Sequence, residues 1–171
     1  VLAPGSFIDE EDNLKKGIEI LKDWGLKVNE NNSLLKRFGY FAGDDLTRFE
    51  ELEKAQNSKL IIFAKGGWGS ARLLEKNPNW GNGLMIGFSD TCSLLLSKYS
   101  QGFYGSIHGP MITTLFKEPE WSLKRLRDLL FEGCVDDLQG FPLKKGLAKG
   151  EIVVSNLTIA TFLVGTDHFP N

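Results

Sequence analysis

Ser89 stands where a buried apolar run passes into an amphipathic helix, in the stretch MIGFSDTCSLLL of residues 85–96. Gly87 lies two residues before it and Asp90 directly after it. That order permits the tight strand-to-helix turn that exposes a serine Oγ, with the N–H of the next residue, here Asp90, facing a developing oxyanion. Serine and aspartate are also the residue types that satisfy free N–H groups at a helix start. Nucleophile and plain helix cap therefore both fit, and Thr91 takes the place of the second glycine in G-x-S-x-G. A serine nucleophile also needs a base, because its hydroxyl reacts poorly unassisted. The chain offers His108, at a strand end where it could approach Ser89 or simply fix its loop, and His168, in a terminal segment where nothing positions it.

A second cluster, GGWGS at residues 66–70, follows the apolar run KLIIFAK. Gly66, Gly67 and Gly69 free the backbone to turn sharply and leave N–H groups pointing outward at a helix start, which suits an anion or an oxyanion. A turn needed only for tight strand-to-helix passage would require fewer glycines. Arg72, one turn into the helix, has a fork that fits a carboxylate, although arginines on helix surfaces are common. Gly67 and Gly69 with Asp90 downstream also allow a nucleotide-binding reading, with Arg72 where that fingerprint has its third glycine.

These residues need a scaffold that gathers strand ends. KLIIFAK, GLMIGFS and FYGSIHGPM have strand length and apolar character, and each of the first two is followed by a turn and a helical run. The alternation predicts βαβ units, a parallel sheet and helices on both of its faces. GGWGS, GFSD (87–90) and IHGP (107–110) then converge at the carboxyl edge, where ligands bind in such sheets. VLAPGS and LKVNE are further strand candidates. A helix over 10–24 is capped by Asp9 and buries Leu14, Ile18 and Leu21. A second is capped by Asp44 or Asp45 and buries Leu46, Phe49 and Leu52. A third is capped by Ser122, with Leu123, Leu126, Leu129 and Leu130 on one face and Gly133 past its end. From about residue 135 the rhythm changes to short β-like pieces and Gly turns. The expected division is an α/β unit over 1–134 and the start of a smaller β-rich unit over 135–171, one that begins and does not finish. The opening VLAP already lies inside a strand-like run, so residues upstream are expected.

Composition narrows the partners. The 171 residues are 42% hydrophobic, enough for a real core. With 20 basic and 22 acidic residues and no basic block, nucleic acid is a poor partner. No stretch reaches the roughly 20 apolar residues of a membrane span, so no membrane partner is expected, nor any metal or cofactor. Cys92 and Cys134 sit in apolar, helix-like or helix-end contexts. They read as structural thiols and point to a reducing, cytoplasmic compartment.

Taken in order, VLAPGS, GYFAGDDLTRFEELEKA, KGGWGSARLL, GFSDTCSLL and IHGPM resemble the LD-carboxypeptidase family, from residue 1 to about 115, with a weaker echo at NLTIATFLVGT. The resemblance implies a flavodoxin-like first domain, a smaller β-rich second domain and, commonly, a homodimer. It implies Ser89 as nucleophile and the amides of Gly67 and Asp90 as the oxyanion site. Gly66, Trp68, Arg72 and His108 are the candidate substrate contacts. The implied substrates are muropeptides, cut at an L,D-peptide bond to release terminal D-alanine in cytoplasmic cell-wall recycling, or peptide-nucleotide antibiotics. Lys65 stands where the family usually has Arg, and Val154–Leu157 read VSNL where it has GGNL. The family's catalytic Glu and His come from its second domain, and His168 does not match that histidine. They are expected beyond this chain, which alone should be nearly inert. The alternative is a nucleotide- or muropeptide-binding module without hydrolase activity.

Overall fold

The run Ile61–Ala64 alternates its side chains between two layers, as a strand must. Ile61 and Phe63 enter one apolar cluster, and Ile62 and Ala64 enter another. Met85 and Ile86 divide in the same way. The computed structural model describes residues 1–31 and 33–170. Its sheet has the order β1 (Leu60–Ile62), β2 (Leu84–Gly87), β3 (Ser106–His108), and all pairs are parallel. The register places Ile62 beside Ile86 and Gly87 beside His108.

Two layers of helix cover the sheet. α1 (Glu11–Asp23), α4 (Ile112–Leu115) and α5 (Glu120–Glu132) bury Leu14, Ile18, Ile112, Leu115 and Leu126 against Ile62 and Ile86. α2 (Asp45–Ala55), α3 (Cys92–Ser100), a 3-10 turn over Ala71–Lys76 and α6 (Leu157–Leu163) deliver Leu52, Leu94, Leu73 and Leu163 to the opposite side. α1 lies flush on α4 because Gly17 carries no side chain. A Cβ there would come within 2.0 Å of the Ile112 carbonyl oxygen. The expected α/β architecture with helices on both faces is the observed one.

Several local expectations are corrected. VLAPGS contributes two isolated bridges, parallel from Leu2 to Phe63 and antiparallel from Ser6 to Phe41, and LKVNE forms no strand, although the Val1 ammonium donates to the Asn29 carbonyl at 3.1 Å. Asp9 does not cap α1, whose N-cap is Glu10. It pairs with Lys65 instead. Asp44 does cap α2, accepting from the Thr47 amide at 2.8 Å, but the buried face holds Arg48 and Leu52 while Leu46 is exposed. α5 starts after Pro119, so Ser122 lies inside its first turn and donates to Glu118 at 2.7 Å, and Gly133 ends the helix at φ 70°. Cys134 is exposed, unlike Cys92. The β-like pieces after 135 form no strand: residues 135–156 carry neither helix nor strand. A strand needs a neighbour's N–H and C=O row, and no described segment supplies one to this stretch. Asn156 caps α6, accepting from the Ile159 amide at 3.2 Å. The chain then returns to α3, where Ser97 Oγ meets His168 Nδ1 at 2.8 Å.

Lys98 on α3 is buried among apolar groups. Its ammonium donates to the Gly81 carbonyl and lies 5.7 Å from the centre of the Phe103 ring. Desolvation lowers its pKa below the ordinary lysine value. Between that lowered value and the unfolded value of about 10.4 the unfolded chain binds more protons, so stability rises with pH in that window. Urea unfolding of the wild type and Lys98→Met at several pH values up to about 10.4 isolates this contribution. The stability gap is expected to move in favour of the wild type as pH rises, and a gap independent of pH would contradict it.

Candidate active site

β2 ends at Gly87, Phe88 continues extended at φ −153°, and Ser89 turns to φ 60°, a left-handed conformation that costs a serine on the order of 1–3 kcal/mol. The turn is held locally. The Thr91 hydroxyl donates to the Phe88 carbonyl at 2.9 Å and the Ser93 hydroxyl to the Asp90 carbonyl at 2.9 Å. A side chain at Gly87 would come within 2.3 Å of Thr91 Oγ1 and 2.7 Å of the Phe63 ring, so only glycine fits behind the bend. Neither the 3-10 turn over Ser89–Thr91 nor α3 takes a side-chain cap bond at its start. The plain-cap role considered for Ser89 is therefore not the one its geometry serves. The residue is a half-buried serine on a strained elbow at the carboxyl end of the central strand.

The glycine loop lies directly against this elbow. A Cβ at Gly66 would sit 3.4 Å from both the Asp90 amide nitrogen and Ser89 Cβ. Ser6 brackets Gly67. Its amide donates to the Gly66 carbonyl at 2.9 Å, and its hydroxyl accepts from the Trp68 amide at 3.0 Å. Gly67 itself has φ 88°, and a Cβ there would come within 2.2 Å of Ser6 Oγ. Among the described residues its N–H has no partner, so this donor of the loop remains available. The Asp90 side chain, 4% exposed, turns back into the protein and accepts from the Ser70 amide at 3.0 Å and the Ser70 hydroxyl at 2.6 Å. This residue thus contributes an amide to the elbow and a carboxylate that fastens the glycine loop.

The remaining candidates divide. Gly66 and Trp68 stand at the elbow's loop, with the Trp68 ring 68% exposed. Arg72 is no free cation: its Nε and Nη2 donate to Asp45, which also binds the buried Arg48. His108 is exposed and tilts against Phe88 with ring centres 6.3 Å apart. Partial desolvation lowers its pKa, which keeps the imidazole neutral at pH 7. It makes no hydrogen bond to Ser89, and His168 is held by Ser97 further along α3. Among the described residues no histidine or carboxylate hydrogen-bonds the Ser89 hydroxyl. The ribose-binding role that a nucleotide reading would give Asp90 is closed by its two bonds to Ser70. Burial pushes the Cys92 thiol up, so it stays protonated as a packing group. Sequence reasoning missed Ser6, Ser70 and Arg48. The available signal was the Asp45 to Arg48 spacing, which places opposite charges one helical turn apart.

A parallel α/β sheet thus gathers a strained serine turn and a glycine loop at its carboxyl edge, where ligands bind in such sheets. Residues 1–109 match the family model of the LD-carboxypeptidase N-terminal domain, and the chain belongs to this family. A Synechocystis sp. protein named as a carboxypeptidase is 39% identical over 100% of this chain and 58% of its own length. A Bacillus subtilis protein named as a murein peptide carboxypeptidase is 27% identical over 97% of this chain and 56% of its own. The crystal structure of a muramoyltetrapeptide carboxypeptidase from Oxalobacter formigenes superimposes with a TM-score of 0.73 at 24% identity, covering 99% of this chain and 60% of that one. The chain spans less than two thirds of the length of these relatives.

Ser70→Ala leaves the Asp90 carboxylate with one bond in place of two. A hydrogen bond to a buried charged group contributes about 2 kcal/mol. Denaturant unfolding is expected to show a loss of that order, whereas a change within about 0.5 kcal/mol, the range of an ordinary surface substitution, would contradict the tie.

Proposed function

We propose that this chain carries the nucleophile unit of a serine carboxypeptidase that hydrolyses an L,D-peptide bond and releases terminal D-alanine from muropeptides. The observation that carries the reading is Ser89 at φ 60° packed against Gly66 of a glycine loop whose Gly67 amide is unpartnered. Ser89 Oγ attacks the carbonyl carbon, and the Gly67 and Asp90 N–H groups receive the oxyanion. Collapse of the tetrahedral intermediate breaks the C–N bond, the amine of D-alanine takes a proton, and water then releases the acyl group from Ser89. The general base and its acid partner are the Glu and the His that the family resemblance implies in a second domain, and among the described residues neither His108 nor His168 bonds to Ser89. Trp68 offers an exposed ring to the substrate, Gly66 lines its path, His108 borders the far side beside Phe88, and Arg72 acts through Asp45.

The unit comprises residues 1–134, and 135–171 begin a second one, as supported by the exposed stretch from 131 to 154. The unpaired thiols Cys92 and Cys134 support a cytoplasmic place in cell-wall recycling, and a homodimer follows from the resemblance alone. No helix among the described residues is long and apolar enough to cross a membrane.

The test fuses residues 1–171 to the C-terminal remainder of the Synechocystis relative, with folding checked by thermal unfolding, and follows D-alanine release from a muropeptide. The fusion is expected to turn over, with Ser89→Ala slower by about a thousandfold or more and equally stable. Residues 1–171 alone are expected to be nearly inactive. Retained turnover by Ser89→Ala would overturn the nucleophile assignment, and muropeptide binding without release would select the binding-module alternative.

A further inference from the structure

We propose that Arg48, a residue with no access to substrate, is the positioning residue that presets the glycine loop by holding the Gly69 carbonyl. The inference rests on the hydrolase reading only for its catalytic consequence. Arg48 has a fully buried side chain, an uncommon position for a guanidinium. Its Nη1 donates to the Pro4 carbonyl and, at 3.0 Å, to the Gly69 carbonyl, while Nη2 pairs with Asp45. These acceptors belong to separate chain segments: the one after the Leu2 bridge, the start of α2, and the loop after β1. Arg72 completes the arrangement by gripping the same Asp45 from outside. The Phe41 ring lies under both guanidinium groups, 4.8 Å from Arg48 and 5.6 Å from Arg72. Gly69 is pressed between that ring and Arg48, since a Cβ there would come within 2.6 Å of Phe41 and 3.1 Å of Arg48 Nη1.

The pattern of ties points to function as well as folding. Within 66–70, Gly66 and Trp68 are held by Ser6, Gly69 by Arg48 and Ser70 by Asp90. Gly67 alone has no outside tie among the described residues. A loop fixed on both sides of one amide has that donor oriented before substrate arrives, which is where electrostatic stabilisation of an oxyanion gains its advantage. Only a planar fork can serve Pro4, Gly69 and Asp45 together. The single ammonium of lysine cannot reproduce it.

Hydrogen exchange of the 171-residue chain, read by mass spectrometry, tests this without requiring catalysis. In Arg48→Lys the amides of Trp68 and Ser70, the two that donate to Ser6 and Asp90, are expected to exchange at least about tenfold faster, with those of α3 unchanged. Unchanged exchange at these two amides would overturn the proposal. If Arg48→Lys fails to fold, Asp45→Asn, which loosens the fork from its half-exposed side, is read in the same way, and an unchanged loop again overturns it. In the fusion with the Synechocystis C-terminal part, Arg48→Lys is expected to lower kcat about tenfold or more with KM within about threefold. A rise in KM at constant kcat would assign Arg48 to substrate binding instead. A wild-type fusion that never releases D-alanine would defeat the hydrolase reading and leave the exchange result standing.

Discussion

The Asp90 carboxylate has left water and receives both of its hydrogen bonds from Ser70. Burying an ionisable group is costly unless it is bonded, and here the bonds join two loops that the chain presents from adjacent strands. On one side is the serine turn after β2, and on the other is the glycine loop after β1. Moving either loop would strand the carboxylate. The strained Ser89 backbone is therefore kept in place by a neighbour's side chain, and the Gly66 to Ser89 approach follows from the same connection. Arg48 repeats the device one layer further out, against Pro4, Gly69 and Asp45. Buried polar groups of this kind fix relative position more than they add net stability.

The sheet beneath supplies the convergence. Parallel strands send every carboxyl end to one edge, so Phe63, Gly87 and His108 all open onto the same side. The register alone would bring the loops within reach, while glycine at 66, 67 and 87 lets them close without side chains between them. The chemistry the site can perform is set by amide donors and one hydroxyl.

Much of this was legible in the residues. The apolar runs around 60–64 and 84–87 showed the strands because a sheet covered on both faces needs continuous apolar sequence. The glycine cluster and the serine after Gly87 stood out against those runs. Arg48 did not, because a charged residue in a helix stripe reads as a surface residue, and Leu46 took its place in the expected core. Its burial depends on acceptors from segments distant in sequence, Pro4 and Gly69, which no local pattern reveals. The first and second strand candidates failed for a related reason: VLAPGS and LKVNE have strand-like character, yet pairing is decided by what lies beside them. The β-like pieces after 135 met the same limit.

In the proposed mechanism Ser89 supplies the attacking atom, and the Gly67 and Asp90 amides receive the oxyanion. A crystal structure of the active fusion with a peptide boronic acid measures both at once. The expected result is a bond from Ser89 Oγ to boron and one boronate oxygen about 2.7–3.1 Å from both amide nitrogens. Boron bonded elsewhere, or bonded to Ser89 with its oxygen turned away from Gly67, would contradict it.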